Sequence, residues 1–216
     1  MRSFMHVLDT EFPNWRNLSV HESSPAGPVA EKLARACAQY TSSQYFANVT
    51  LGSTVEGRRC ENLENLTFAD STFDLFITQD VIEHVMNPAR AFAEIARVLK
   101  PGGAHVFSVP WLKSRMTELR AVLKAGQIQY LKKPEYHGNP IDPDGCLVVT
   151  DWGADMADII HEHSGMQTNT FSPNDRTLGI VGDCLEVFVA YKNRFENSDD
   201  SPDYATRIKN RTLATE

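Results

Sequence analysis

The sequence predicts an α/β fold: a Rossmann-like, doubly wound sheet, mostly parallel with an antiparallel strand at its C-terminal end, in three αβα layers. Three observations lead there. Strand-like and helix-like segments alternate from Leu18 onward, which argues for right-handed crossovers and a parallel sheet. Leu75-Phe76-Ile77 is a short continuous apolar run, the pattern of a strand buried on both faces. After Gly165 the alternation gives way to two strand-like segments, 166–171 and 185–191, that suit an antiparallel pair.

Taken in order, Phe4, Val7 and Leu8 recur at helical spacing before Pro13 and predict a helix within residues 1–17 that packs on the core. Leu18 to His21 is extended and runs into Glu22-Ser-Ser-Pro-Ala-Gly-Pro28, a cluster of turn formers. Val29, Leu33 and Ala36 then mark one helix face. Residues 40–46 read as a second strand, 55–60 as a third and 73–78 as a fourth. The next helix is the best specified: Asn87 caps it, Pro88 suits its first position, Phe92, Ile95, Ala96 and Leu99 line one face, and Lys100-Pro-Gly-Gly103 ends it. Residues 104–109 form a fifth strand. Trp152, Met156, Ile159 and Ile160 predict a last helix, stopped by Gly165. Residues 18–192 thus make one domain, with 111–151 as an insert or lid, and 193–216 are a polar tail expected to be disordered.

Composition agrees with a single globular domain: 216 residues, 42% hydrophobic and 23% charged, carry enough apolar surface for a core. A formal net charge of -7 repels a phosphate backbone or an anionic membrane unless basic residues cluster. The run Lys113, Arg115, Arg120, Lys124, Lys132 and Lys133 is such a cluster, and it reads as a solvated helix face, so neither nucleic acid nor membrane is expected as a partner. Cys37, Cys60, Cys146 and Cys184 include no CxxC pair and read as small buried hydrophobes, with no metal expected. Asp9, Glu11 and Pro13 interrupt the start well short of a signal peptide, and no later run approaches a membrane span. The expected setting is a reducing cytoplasm.

In an open parallel sheet, ligands bind beyond the carboxyl ends of the strands, so the loops there carry the functional candidates. Phe73-Asp-Leu-Phe-Ile-Thr-Gln-Asp-Val-Ile-Glu-His-Val85, then Asn87-Pro88 and Glu94-Ile-Ala-Arg-Val-Leu-Lys-Pro-Gly-Gly103, closely resemble class I S-adenosylmethionine-dependent methyltransferases of the bacterial methyltransferase-domain type. Glu64-Asn-Leu-Thr-Phe-Ala-Asp-Ser-Thr-Phe-Asp74 matches their lead-in to the fourth strand. The resemblance runs from about Leu18 to Tyr191. It implies a seven-strand sheet with an antiparallel last strand, S-adenosyl-L-methionine as cofactor, and a small-molecule or glycan-like acceptor methylated on oxygen or nitrogen. The alternative is a methyltransferase-fold binding or scaffold protein without turnover. A nicotinamide enzyme is disfavoured because no GxGxxG follows the first strand.

The resemblance also distributes roles. Glu22, Ser23, Ser24 and Gly27 stand where the family has an acid and a glycine-rich turn, here altered. Tyr40 and Ser42 stand where a second-strand acid would hold the ribose, with Ser43 as an alternative hydroxyl. Glu61, Asn62 and Leu63 border the adenine, and Gln79 faces the methyl donor. Read from the residues, Asp80 and His84 are four apart in a helical stretch with Glu83 beside them, either a base pair for catalysis or a helix-start interaction. Tyr136, His137 and Asn139, between rigid turns of the insert, are the candidate acceptor wall, or a well-stapled loop.

Overall fold

The structure, a computed structural model, describes residues 2–139 and 142–194. The predicted tail therefore lies outside the described residues apart from Asn193 and Arg194. Helix α1 (Arg2–Glu11) buries Phe4, Val7 and Leu8, the residues whose spacing predicts it. The chain continues through β1 (Ser19–Ser23), α2 (Gly27–Ala36) and β2 (Gln39–Gln44), the last parallel to β1. The predicted third strand is instead a tight hairpin. β3 (Thr54–Val55) turns into β4 (Arg58–Cys60) through Glu56 and Gly57, both at positive φ, the backbone twist a two-residue hairpin favours. Residues 45–57 contain no helix, so that crossover is made by loop and hairpin alone.

β5 (Phe73–Gln79) runs through the centre with Phe73, Leu75, Phe76, Ile77 and Thr78 buried. α3 (Pro88–Val98) starts as predicted: the Arg90 N–H donates to Asn87 Oδ1 at 3.1 Å. Its end differs from the sequence reading. The helix stops at Val98, and Lys100 to Gly103 lie inside β6 (Leu99–Ser108), where they bulge out, since Phe73 pairs with Leu99 but Leu75 pairs with Ala104. Gly102 takes φ +81 in that bulge, and a Cβ on Gly103 would sit 2.8 Å from the Asp74 carbonyl oxygen. These glycines serve the strand's bulge and its packing on β5, not a helix cap.

After the insert come α4 (Met156–Ser164), ended by Gly165 at φ 68, then β7 (Gln167–Phe171) and β8 (Val187–Tyr191). The sheet order is β7-β8-β6-β5-β1-β2-β4-β3, with β8 antiparallel to both its neighbours. α1 and α2 cover one face through Val20, Leu75, Ile77 and Val189, and α3 and α4 cover the other through Phe76, Phe107 and Phe188. This is the predicted three-layer α/β architecture. Strand order reverses between β1 and β5, which places the ligand-binding crevice at their carboxyl ends.

Residues 111–151 hold no helix among the described residues. Trp111–Leu112 and Glu118–Leu119 flank Thr150–Gly153 in a small sheet, while Ala121–Lys124 with Gln127–Tyr130, and Tyr136–Asn139 with Asp142–Leu147, make two hairpins. The basic run thus sits on strands and turns, not on a helix face. Arg120 pairs with Asp151 at 3.1 Å, Lys132 with Asp151 at 2.9 Å, and Lys113 with Glu186. Cys37 and Cys60 are buried, but Cys146 is half-buried and Cys184 exposed, which corrects the reading of all four as core residues. No helix among the described residues is long and apolar enough to cross a membrane.

Candidate functional site

At the switch point β1 ends in Glu22 and Ser23, both buried. The turn that follows is left-handed at Ser24 (φ 55) and at Gly27 (φ 67). Ser24 thus takes a conformation usually left to glycine, and its N–H donates to the Ser43 carbonyl at 2.8 Å. Beneath the turn, the Glu22 carboxylate accepts from Tyr40 Oη at 2.7 Å and from Gln79 Nε2 at 2.9 Å, which ties the ends of β1, β2 and β5 together. Burial pushes the Glu22 carboxyl above its ordinary range, and the bonds from Tyr40 and Gln79 pull the other way. The Tyr40 phenol is pushed up by burial and by the Glu22 charge, while the Ser42 hydroxyl bonded to it opposes this.

The pleat separates the two serines of β2. Ser43 is buried on the opposite face, its Oγ 2.9 Å from His21 Nε2, while His21 Nδ1 is 2.9 Å from Thr41 Oγ1. Ser42 stays on the Tyr40 side, and the last residue of β2 is Gln44, which the sequence reading passed over. Glu61 is buried and fully engaged: Arg59 Nε donates to it at 2.6 Å, the Thr67 N–H at 2.8 Å and Thr67 Oγ1 at 2.5 Å. Its carboxylate staples β4 to the following loop. Asn62 Oδ1 accepts from the Glu64 N–H, and Leu63 is buried in the core beside α3.

Beyond β5 the predicted helix is absent. Asp80 takes φ 52, and a single 3-10 turn, Ile82–His84, follows. The four-residue spacing therefore does not make Asp80 and His84 helix neighbours; Asp80 Oδ1 instead accepts from Ser108 Oγ at 3.1 Å. His84 Nδ1 lies 2.9 Å from the Leu147 carbonyl oxygen. Because a carbonyl only accepts, Nδ1 carries the proton and Nε2 keeps its lone pair. Burial lowers the His84 pKa, the Leu147 carbonyl opposes that, His137 lowers it further, and the Asp80 charge raises it.

The insert brings His137 to the same place: its Nδ1 is 3.6 Å from Glu83 Oε1, and His84 Nε2 is 3.7 Å from that oxygen. Glu83 is 1% exposed, and neither carboxylate oxygen has a hydrogen-bond partner. Burial, with a contribution from the Asp80 charge, pushes its pKa up to about 8. Tyr136 precedes His137 on the same strand and is exposed, bonded to Tyr130. Asn139 ends that strand. The structure thus gathers Glu22, Tyr40, Ser42 and Gln79 into one group, and His84, Glu83 and His137 into a second. Glu61 and Ser43 are committed to scaffolding bonds.

Residues 23–107 match the family model described as a methyltransferase domain. A dimethylglycine N-methyltransferase of Parasynechococcus marenigrum is 43% identical over 49 residues, covering 23% of this chain and 18% of the relative. An uncharacterized methyltransferase of Schizosaccharomyces pombe is 26% identical over 150 residues, covering 69% of this chain and 53% of the relative. The chain spans about half or less of either relative's length. A solved S-adenosylmethionine-dependent methyltransferase from Mesorhizobium loti superposes with a TM-score of 0.55 at 16% identity, covering 88% of this chain and 98% of that one, a likeness of fold. Residues 23–107 thus carry a methyltransferase domain, and the fold is that of the solved S-adenosylmethionine-dependent methyltransferase. S-adenosylmethionine is the cofactor named for the solved neighbour of the same fold. The two left-handed residues, Ser24 and Gly27, turn the chain tightly over the buried Glu22 with small side chains.

Proposed function

We propose that this protein moves the methyl group of S-adenosylmethionine to an oxygen or nitrogen of a small-molecule or glycan-like acceptor. The observation that carries the reading is the bonded group of Glu22, Tyr40 and Gln79 under the Ser24 to Gly27 turn, at the point where sheets of this kind take their ligand. The relative named for dimethylglycine supports a small acceptor. In this reading Glu22, Ser23, Ser24 and Gly27 hold the methionine part of the cofactor, Tyr40, Ser42 and Gln44 the ribose, and Asn62 and Leu63 the adenine. Gln79 orients Glu22 and borders the donor.

The bound cofactor supplies a sulfonium methyl open to in-line displacement. The chain's own share is to hold acceptor and donor in line and, where the acceptor is a hydroxyl, to take its proton. His84 suits the second task, since its Nδ1–H is anchored to Leu147 and Nε2 is free to accept. Tyr136, His137 and Asn139 border the acceptor side.

Calorimetric titration with S-adenosylmethionine and S-adenosylhomocysteine tests the reading: heat of binding is expected from both. No heat at millimolar ligand from a folded sample overturns it in favour of a scaffold without turnover. With binding established, His84→Ala is expected to leave cofactor affinity nearly intact while lowering turnover on a hydroxyl acceptor by a factor on the order of 100. Unchanged turnover would make His84 a purely structural residue.

A further inference from the structure

We propose that Glu83, His84 and His137 form a binding site for a divalent transition-metal ion. One ligand atom from each lies within 4.8 Å of the other two. The two contacts to Glu83 Oε1, 3.6 and 3.7 Å, are a few tenths of an ångström longer than the roughly 3.3 Å between two ligands at about 2 Å in a tetrahedral zinc site. A small rotation of His137, whose side chain is 34% exposed, closes the remaining gap and leaves an entry path. Two imidazoles and one carboxylate are a donor set that suits zinc, cobalt, manganese or ferrous ion, and three protein ligands leave open positions for water or substrate oxygen.

Two further observations point to a cation. Both oxygens of the Glu83 carboxylate are buried without a hydrogen-bond partner, an arrangement that is costly for either protonation state: a carboxylate lacks donors, and a carboxylic acid would find no acceptor. A metal ion satisfies both oxygens without a new protein contact. The second is the anchoring of His84 by a backbone carbonyl, which fixes the ring so that Nε2 faces Glu83. Ligating histidines are commonly held in this way through their other nitrogen. The same hairpin supplies that carbonyl, from Leu147, and the third ligand, His137; its continuation pins the backbone of Glu83, with the Val149 N–H donating to the Glu83 carbonyl at 2.7 Å.

The site lies just past the carboxyl end of β5, beside the face assigned above to the acceptor. Its use there rests on the methyltransferase reading; the binding itself does not. A hydroxyl of the acceptor coordinated at an open position would be made more acidic and would lose its proton to solvent, so that with metal bound His84 would serve as a ligand through Nε2 and not as the proton acceptor.

The test uses untagged full-length protein stripped with a chelator and titrated calorimetrically with Zn2+ and, separately, with Co2+, each with and without S-adenosylhomocysteine. One equivalent of either ion per chain is expected, with a visible cobalt band free of thiolate charge transfer. Glu83→Gln and His137→Ala should each weaken Zn2+ binding by about 10-fold or more. If either variant fails to fold, the other and the wild-type cobalt spectrum still decide. No metal uptake by the wild type, equal uptake by both variants, or a strong thiolate band implicating Cys146 or Cys184 would overturn the site. Heat from S-adenosylhomocysteine without metal uptake sinks only the metal site, and metal uptake without that heat sinks only the methyltransferase reading.

Discussion

His21 and His105 stand on β1 and β6 with their rings inside the layer between sheet and α3, each in contact with Phe76. His21 spends both ring nitrogens on Thr41 and Ser43; His105 bonds Thr78 Oγ1 through Nε2, stacks on Phe107 at 4.5 Å and leaves Nδ1 without a partner. Burial, aided for His21 by the charge of Arg59, pushes the pKa of each from 6.5 down to about 3. In the unfolded chain both titrate near 6.5, so below that pH the unfolded state binds protons the folded state refuses. Stability present above pH 6.5 is therefore lost as pH falls toward 3. Between about pH 7 and about pH 4.5 the loss is roughly 2.5 kcal/mol per histidine, or about 5 kcal/mol for the two, against a total of about 5–15 kcal/mol for an ordinary domain. Glu22 and Glu83, whose pKa values are raised, act with the opposite sign, so the wild-type curve alone is not diagnostic. The His105→Phe variant isolates the effect. Its urea unfolding free energy, compared with the wild type at about pH 7 and about pH 4.5, should gain roughly 2.5 kcal/mol relative to the wild type at the lower pH. Packing changes caused by the larger ring enter equally at both pH values and cancel. A wild-type-to-variant difference that moves by less than about 0.5 kcal/mol between the two would mean that His105 is protonated in the fold, and the argument from burial would fail.

Two smaller perturbations test the scaffold around the cleft. Arg97 donates to Glu94, to Asp70 and to the carbonyls of Leu66 and Phe68, so it clamps the lead-in segment onto α3. Arg97→Ala should cost about 2 kcal/mol in denaturant unfolding, discounted for its partial exposure, and a cost below about 0.5 kcal/mol would show the clamp to be idle. Ser24→Gly removes a side chain from a left-handed position and should leave stability unchanged or raise it by up to about 1 kcal/mol, with S-adenosylhomocysteine affinity retained by calorimetry; a large loss of affinity would assign the Ser24 hydroxyl a direct role in holding the ligand.

The parts of the fold legible in the sequence are those fixed by local pattern. The apolar run of β5, the Asn87 cap and the Phe92 and Ile95 face of α3 specify their elements without help from the rest of the chain. Lys100 to Gly103 misled because glycine after a helix signals a cap and a bulge equally well, and only the Asp74 carbonyl across the strand pair decides between them. The Asp80 and His84 spacing assumed a helix that the positive φ at Asp80 prevents. Glu61 has the right residue type for a polar contact to a base, but Arg59 and Thr67, near it in sequence, already consume its oxygens. Gln44 ends β2 as a neutral residue directly after two serines of similar hydrogen-bonding chemistry, so nothing in the local pattern sets it apart. The meeting of Glu83 with His137 was out of reach of pattern altogether, since it depends on how a hairpin distant in sequence folds back onto a single turn.

The way the insert is attached has a consequence for how such a protein can change over generations. Trp111–Leu112, where the excursion leaves the sheet, pairs directly with Thr150–Gly153, where it returns, and the Trp111 indole N–H closes the neck on the Gly153 carbonyl at 2.7 Å. What lies between is a loop tied off at its base, so hairpins within it can lengthen, shorten or be replaced without moving β6 or α4. A change confined to those hairpins therefore leaves the central sheet as it is, provided that the threads from Val149 to Glu83 and from Leu147 to His84 survive it.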